Sequence, residues 1–457
     1  MIGLVLFGTF LVLLLLGVPV AFALGGAAVC ALVAMGGLGE LSLVPNVFVA
    51  SVSSETLLAI PFFILAGVIM EYAGISRRLV DFAHACVGSR KHGLAIVVIV
   101  AAFFFSAISG SGPATVAAIG SILIPALIRH GYAARHATSL MASAGSMGII
   151  VPPSIAFIVF AVVVSDYAGV SIVRLFVAGI VPGILLAVAL VLACLFVTRK
   201  AVADTAAAPA GGGPGAATAP APVADGGGEP PGPPAPARGF AATFVRAIPG
   251  LLVPIIILGG IYGGVVTPTE SAVVAATYAL LVGALVYREI TPRQLYQIFV
   301  SSAAQSAVVM LIVGAASVFA YVVTVNQIAA SVADALLGLT DSRVLIVLLT
   351  IVLLLVVGAF VDAVSALYLF IPIVAPVLLE VGVDVTAIGV MMVVNLALGL
   401  ITPPVGVNLF VAAGIARVPL VEVVRGIRPF FVAGLAVVLL VAYVPAISNW
   451  LPDLLGF

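Results

Sequence analysis

Between Met1 and Arg77 the chain carries no lysine or arginine, and uncharged apolar runs of membrane-spanning length recur to its end. Inside a bilayer every backbone amide needs an internal partner, so these runs must be helices. Composition agrees: 64% of the 457 residues are hydrophobic and 7% are charged, against roughly a quarter charged in soluble domains. A soluble globular protein is excluded, and an all-α polytopic membrane protein is expected. Seventeen basic and seventeen acidic residues cancel, leaving no basic surface for nucleic acid. Cys30, Cys86 and Cys194 are scattered, which suits neither a disulfide framework nor a zinc site, and they read as small packing residues. The apolar start has no basic flank, so no cleavable signal peptide is predicted.

Ten spans are predicted near 3–17, 19–36, 56–73, 136–164, 172–198, 247–265, 269–287, 298–325, 385–413 and 429–447. Two further apolar stretches, about 94–128 and 343–378, carry Gly, Ser or Asp near their middles and read as re-entrant hairpins. Between 73 and 92, apolar and charged residues alternate with helical spacing, as in an interfacial amphipathic helix. Residues 201–240 are almost wholly Ala, Pro and Gly. Such a segment buries too little apolar surface to order itself, so it reads as a flexible linker between halves 1–200 and 241–457.

The halves correspond residue by residue. Gly148-Ile-Ile-Val-Pro-Pro153 and Gly399-Leu-Ile-Thr-Pro-Pro404 lie 251 positions apart, and the same shift pairs Pro125 with Pro376, Met141 with Met392 and Arg174 with Arg425. Each half then holds three spans, one hairpin and two further helices, one of them broken. Five crossings per half is odd, which inverts the second copy in the membrane. The positive-inside rule supports this inversion. With the first hairpin opening to the cytoplasm, fifteen of the seventeen basic residues fall inside, all but Arg174 and Arg343. Both termini are then external and the linker cytoplasmic. His84, His92, His130 and His136 fall near basic loops and read as solvated.

Inverted repeats with broken helices at matching positions point to the central site of a secondary transporter. The first hairpin carries Ser109-Gly110-Ser111-Gly112-Pro113-Ala-Thr115 at its tip. Its carbonyls and hydroxyls are hard oxygen donors that suit a cation such as sodium. The partner break holds Gly148, Pro152, Pro153 and Ser154, where two prolines forbid a regular helix. In the second half the tip spans Gly358 to Ser365 and includes Asp362, facing Asn395, Gly399, Thr402, Pro403, Pro404, Gly406 and Asn408. A carboxylate at membrane depth is expensive. Asp362 therefore reads as an ion or substrate ligand, with a cap on the hairpin helix as the other reading. Asn395 and Asn408 read equally as ligands or as bonds between helices, and Glu270 and Glu55 as helix caps or ligands. Gly259, Gly260, Gly263 and Gly264 read as a close helix-packing stripe. No zinc-protease pair, nucleophile elbow or Walker loop is present, so no enzymatic activity is expected.

These motifs resemble the large membrane subunit of tripartite ATP-independent periplasmic (TRAP) transporters. The matching stretches are Ile60 to Gly67, Ser109 to Thr115, Ile150 to Ile155, Val265 to Glu270, Gly358 to Asp362 and Ile401 to Gly406, in order along nearly the whole chain. The Ala-Pro-Gly insertion departs from the short linker such proteins carry. The resemblance implies an elevator-type transporter in a bacterial inner membrane, driven by sodium as coupling ion, with no cofactor. It implies a small four-helix membrane subunit and a periplasmic substrate-binding protein as partners. A C4-dicarboxylate, sialic acid or other organic acid would be the substrate. By motif position, sodium would sit at Ser109, Gly110, Ser111, Gly148 and Ser154, and at Gly358, Asp362, Gly399 and Thr402. Gly112, Pro113, Thr115, Pro152, Pro153, Ser365, Asn395, Pro403, Pro404, Gly406 and Asn408 would contact substrate or gate it. The alternative is a stand-alone anion or dicarboxylate:sodium symporter of related inverted-repeat fold, which would work without a binding protein. An ion channel would instead show unitary currents.

Overall fold

A computed structural model describes residues 1–87, 93–206, 240–340 and 342–457, without the side chains of 198–206 and of several residues in 333–339. Among the described residues there is no strand. The first half runs α1 (Ile2–Leu15), α2 (Val20–Gly36), α3 (Leu43–Val52), α4 (Ala59–Tyr72), α5 (Ile75–Val87), α6 (Gly93–Ser109), α7 (Gly112–Arg129), α8 (Ala134–Gly145), α9 (Ile155–Val164) and α10 (Ile172–Ala206). The second half runs α11 (Phe240–Tyr262), α12 (Pro268–Leu281), α13 (Pro292–Val325), α14 (Ile328–Leu339), α15 (Arg343–Gly358), α16 (Ala363–Glu380), α17 (Val385–Gly399), α18 (Val407–Ala416), α19 (Leu420–Tyr443) and α20 (Ala446–Leu455).

Local chemistry sets these boundaries. Gly17, at φ +80°, and Pro19 separate α1 from α2. Thr267 and Thr291 each open a helix whose first residue is proline, where the missing donor costs nothing. Each threonine also closes a reciprocal capping box, with Glu270 and Gln294 respectively. Glu270 is thus a cap and lies exposed. The expected spans 136–164 and 385–413 are each interrupted, as α8 and α9 and as α17 and α18. Element starts recur at nearly one shift: α7 at Gly112 and α16 at Ala363, α8 at Ala134 and α17 at Val385, lie 251 positions apart, and the starts of α6 and α15 and of α9 and α18 fall within one position of that.

Several expectations need correction. Helices α3, α14 and α20 lie between or after the expected spans, where no helix was expected, because each is too short to register as a span. The four-glycine stripe does not pack two helices of this chain. Gly259, Gly263 and Gly264 are exposed, and Gly264, at φ +65°, ends α11. The N–H of Val265 bonds the carbonyl of Gly260 and that of Gly264 bonds Ile261, a left-handed C-terminal cap. Cys30 and Cys86 are exposed and only Cys194 is buried. His136 is half-buried, with a buried Nδ1 that lacks a partner. The α10 backbone continues to Ala206. Most of the expected linker, 207–239, lies outside the described residues, as do Arg90, Lys91, His92 and Arg238.

The helices pack as two groups, α1–α5 with α11–α13 and α6–α10 with α15–α20, and α14 lies between them, against both α13 and α16. The chain crosses between them after α5, after α10 and through α14. In the first group Arg78 bonds Glu289 at 2.6 Å while its guanidinium sits 3.7 Å over the Tyr287 ring. In the second, Arg174 donates to Asp453 at 2.7 Å, to Thr386 at 2.9 Å and to the carbonyl of Phe457. Ser139 likewise reaches the carbonyl of Val423 at 2.9 Å, holding α8 to α19. The groups meet where α5 lies on α6 and where α13 and α14 lie on α16, with ring contacts such as Phe82 with Phe104 at 6.4 Å.

Candidate functional site

The tip between α6 and α7 is a two-residue turn, Gly110-Ser111, in which the φ of +60° at Gly110 favours glycine. Hydroxyls tie the turn together. Ser109 Oγ and Thr115 Oγ1 lie 2.8 Å apart, and Thr115 Oγ1 donates to the carbonyl of Ser111 at 2.9 Å. Pro113 occupies the first turn of α7, where no donor is needed. Opposite it, α8 ends at Gly145, tightens through Ser146–Ile149 and breaks at Pro152-Pro153, with Ser154 at the start of α9. Ser154 Oγ donates to the carbonyl of Ile149 at 2.5 Å.

Tip and break are seated on each other. A Cβ at Gly148 would lie 2.5 Å from the Ser111 carbonyl oxygen and 2.8 Å from the Gly112 nitrogen. Both obstacles are backbone, so only glycine fits. The second half repeats the arrangement. A Cβ at Gly399 would lie 2.7 Å from the Cα of Gly358. The N–H groups of Val405 and Gly406 donate to the carbonyl of Ala359 at 3.3 and 3.2 Å, so the break beside Pro403-Pro404 hangs directly on the second tip. Thr402 Oγ1 turns back to the carbonyl of Leu398 at 2.7 Å.

Asp362 is the N-cap of α16. Its Oδ1 accepts from the Ser365 N–H at 2.9 Å and its Oδ2 from the Ser365 hydroxyl at 2.5 Å. The carboxylate is half-buried rather than enclosed. Asn395 and Asn408 do bond between helices: Nδ2 of Asn395 donates to Ile351 at 2.9 Å and Nδ2 of Asn408 to Ala142 at 3.1 Å. Both residues are fully buried, and each leaves its Oδ1 with no hydrogen-bond donor. A buried unpaired amide oxygen calls for an explanation, and a bound ion supplies one.

The two tips converge on one region. A Cβ at Gly112 would lie 2.8 Å from Leu400 and 3.2 Å from Asn408 Oδ1, so the first tip touches the second break. Helix N-termini of α7, α9, α16 and α18 gather at these tips and breaks. Such ends carry partial positive charge and favour an anion. The hydroxyls, carbonyls and orphan amide oxygens are oxygen donors of the kind a hard cation takes. Three contributors escaped the sequence reading: the carbonyls of Ala359 and Ala142, and Ser106, whose buried hydroxyl lacks a partner one helical turn before Ser109. Only Ser106 had a signal, its i, i+3 spacing to Ser109.

Apolar helices throughout, with a polar seat of interrupted helices buried among them, define a polytopic protein of transmembrane transport. Residues 7–447 match the family described as tripartite ATP-independent periplasmic transporter, DctM component, and the chain belongs to that family. It is 41% identical to the isethionate TRAP transporter permease protein DctMQ of Oleidesulfovibrio alaskensis, over 97% of this chain and 65% of that protein, just under two thirds of its length. It is 38% identical to the C4-dicarboxylate TRAP transporter large permease protein DctM of Pseudomonas aeruginosa, over 88% of this chain and 87% of the relative. In fold it is similar to the YdaH transporter of Alcanivorax borkumensis, with a TM-score of 0.57 at 17% identity over 93% of this chain and 89% of the other.

Proposed function

We propose that this chain is the large permease subunit of a sodium-driven transporter that imports a small organic anion. A periplasmic binding protein would deliver the substrate and a small four-helix membrane subunit would complete the membrane part. The observation that carries this reading is the paired seat: two tips on two breaks, two orphan amide oxygens at Asn395 and Asn408, and four helix N-termini. Cation and anion stabilise one another there in a medium of low dielectric. A carboxylate is the first substrate class, as the C4-dicarboxylate relative suggests. The isethionate relative adds a sulfonate of similar size.

The recurrence of element starts near a 251-position shift supports two repeats, and the one-sided placement of the basic residues supports their inversion in the bacterial inner membrane, with both termini periplasmic. The two packing groups support an elevator. In it α1–α5 and α11–α13 stand still with the small subunit while α6–α10 and α15–α20 carry the site across, with α14 bridging the two. The test is uptake into vesicles holding this chain, its small subunit and the binding protein. Imposed sodium gradients should drive accumulation and equal potassium gradients should not. Uptake indifferent to sodium would overturn the coupling, and uptake without the binding protein would overturn the tripartite reading.

A further inference from the structure

We propose that the cleft between α10 and α19 holds an anionic phospholipid, its phosphate between Arg135 and Arg428 and an acyl chain along the helices. The cleft has a volume of about 1340 Å³ and is open along its length, larger than the ~300–1,000 Å³ of a small-molecule pocket. Its lining is divided sharply by chemistry. Arg135, His136 and Arg428 lie at one end, and every other lining residue is apolar. On α19 the lining runs from Arg428 to Leu440, and on α10 from Leu185 to Val197. Twelve residues of helix rise make a slot of ~18 Å, close to the ~15 Å depth of one leaflet's hydrocarbon. Ala189, Ala193, Ala433 and Ala436 keep the slot open, and Leu192 and Phe196 stand exposed along it.

Charge selects the occupant. Among the described residues neither Arg135 nor Arg428 has an acidic partner, and Arg135 Nε instead faces His136 Nε2 at 3.3 Å. With Arg425 close by in sequence, this end is the cytoplasmic one by the positive-inside rule. A partner helix would have to place an acidic side chain at that level to match the two arginines. An anionic headgroup is complementary, and basic pockets between helices on this face suit such lipids. Because Arg135 lies in the first turn of α8, the headgroup would brace the helix that leads into Gly148 and the break at Pro152-Pro153.

The test is lipid composition. The full chain is extracted in mild detergent, and its phospholipid is compared by mass spectrometry with that of the source membrane. Phosphatidylglycerol should be enriched at least tenfold. Enrichment should fall roughly fivefold in either Arg135→Gln or Arg428→Gln and to bulk proportion in the double variant, and Arg428→Lys should retain most of it. Ala433→Leu, which narrows the slot and keeps both arginines, should also lower enrichment, so the result does not hang on the arginine variants folding. In phosphatidylcholine nanodiscs, added phosphatidylglycerol should raise the Tm of wild type and not that of the double Gln variant. Phosphatidylglycerol at bulk proportion in wild type overturns the proposal, as does unchanged enrichment in the double variant. Capture of a protein helix by a photoreactive residue at 192 also overturns it. None of these readouts depends on transport.

Discussion

Asp362 combines a cap with a charge, and two substitutions separate them. Asparagine caps a helix about as well as aspartate, whereas alanine costs about 1 kcal/mol. Asp362→Asn is therefore expected to keep the thermal stability of wild type, and Asp362→Ala to lose about that amount, read by unfolding in detergent. Both should lose sodium-dependent uptake. If Asp362→Asn retains the wild-type half-saturating sodium concentration, the carboxylate is a cap and nothing more. Asn408 poses the complementary case, since Nδ2 bonds Ala142 while Oδ1 has no donor. Asn408→Ala should cost ~1–3 kcal/mol through the stranded Ala142 carbonyl and should raise half-saturating sodium about tenfold or more in uptake assays. A stability loss with unchanged sodium dependence would mark it as a packing residue. Asp362 and both asparagines were legible in the sequence because polar side chains are rare at membrane depth. The Ala359 carbonyl was not, because a backbone acceptor leaves no mark on residue identity.

At the scale of elements the discriminating residues are glycines. Gly148→Ala drives a Cβ into the backbone of Ser111 and Gly112, and neither backbone can yield without unseating the tip. We expect ~1–3 kcal/mol of destabilisation and loss of uptake. Gly414→Ala, inside α18 with no atom near its added Cβ, should instead gain ~0.5–1 kcal/mol. Thermal unfolding of the two variants checks the contrast, and equal effects would mean that the seat between tip and break is not tight. On α5, Arg78 combines the Glu289 ion pair with the Tyr287 ring. Arg78→Ala should cost ~1 kcal/mol, mostly through the ring because the ion pair is partly solvated, and should speed amide exchange in α5. Unchanged exchange there would show that α5 is held by its apolar face alone. Helix ends at Pro19 and Thr267 were readable since proline and capping residues act locally, whereas the start at Thr291 was missed, the span being expected only from 298. Helices α3, α14 and α20 were not, since a ten-to-twelve-residue helix at a membrane surface is decided by what it packs on.

For the whole molecule, the repeat was legible because a constant shift survives in Gly148, Pro152 and their partners. The division into packing groups was not, because it cuts both halves and joins pieces distant in sequence. That division carries a mechanical consequence. The Arg78, Arg174, Ser139, Asn395 and Asn408 side chains all bond within their own group, while Phe82 and Phe104 meet across the divide without a polar bond. Apolar contact is non-directional, so sliding at such a divide exchanges one set of contacts for another, whereas deforming either group breaks directional bonds. The groups should therefore move as rigid bodies past one another. Spin labels at Leu38 and Leu455, both exposed and in different groups, should give two distance populations separated by at least about one helical turn, ~5 Å. Sodium and substrate should shift their weights. Labels at Leu38 and Val325, exposed within one group, should give a single unmoved distance. A single, ligand-independent distance for the first pair would refute relative motion of the groups, and a broadened second pair would show that the first group itself deforms.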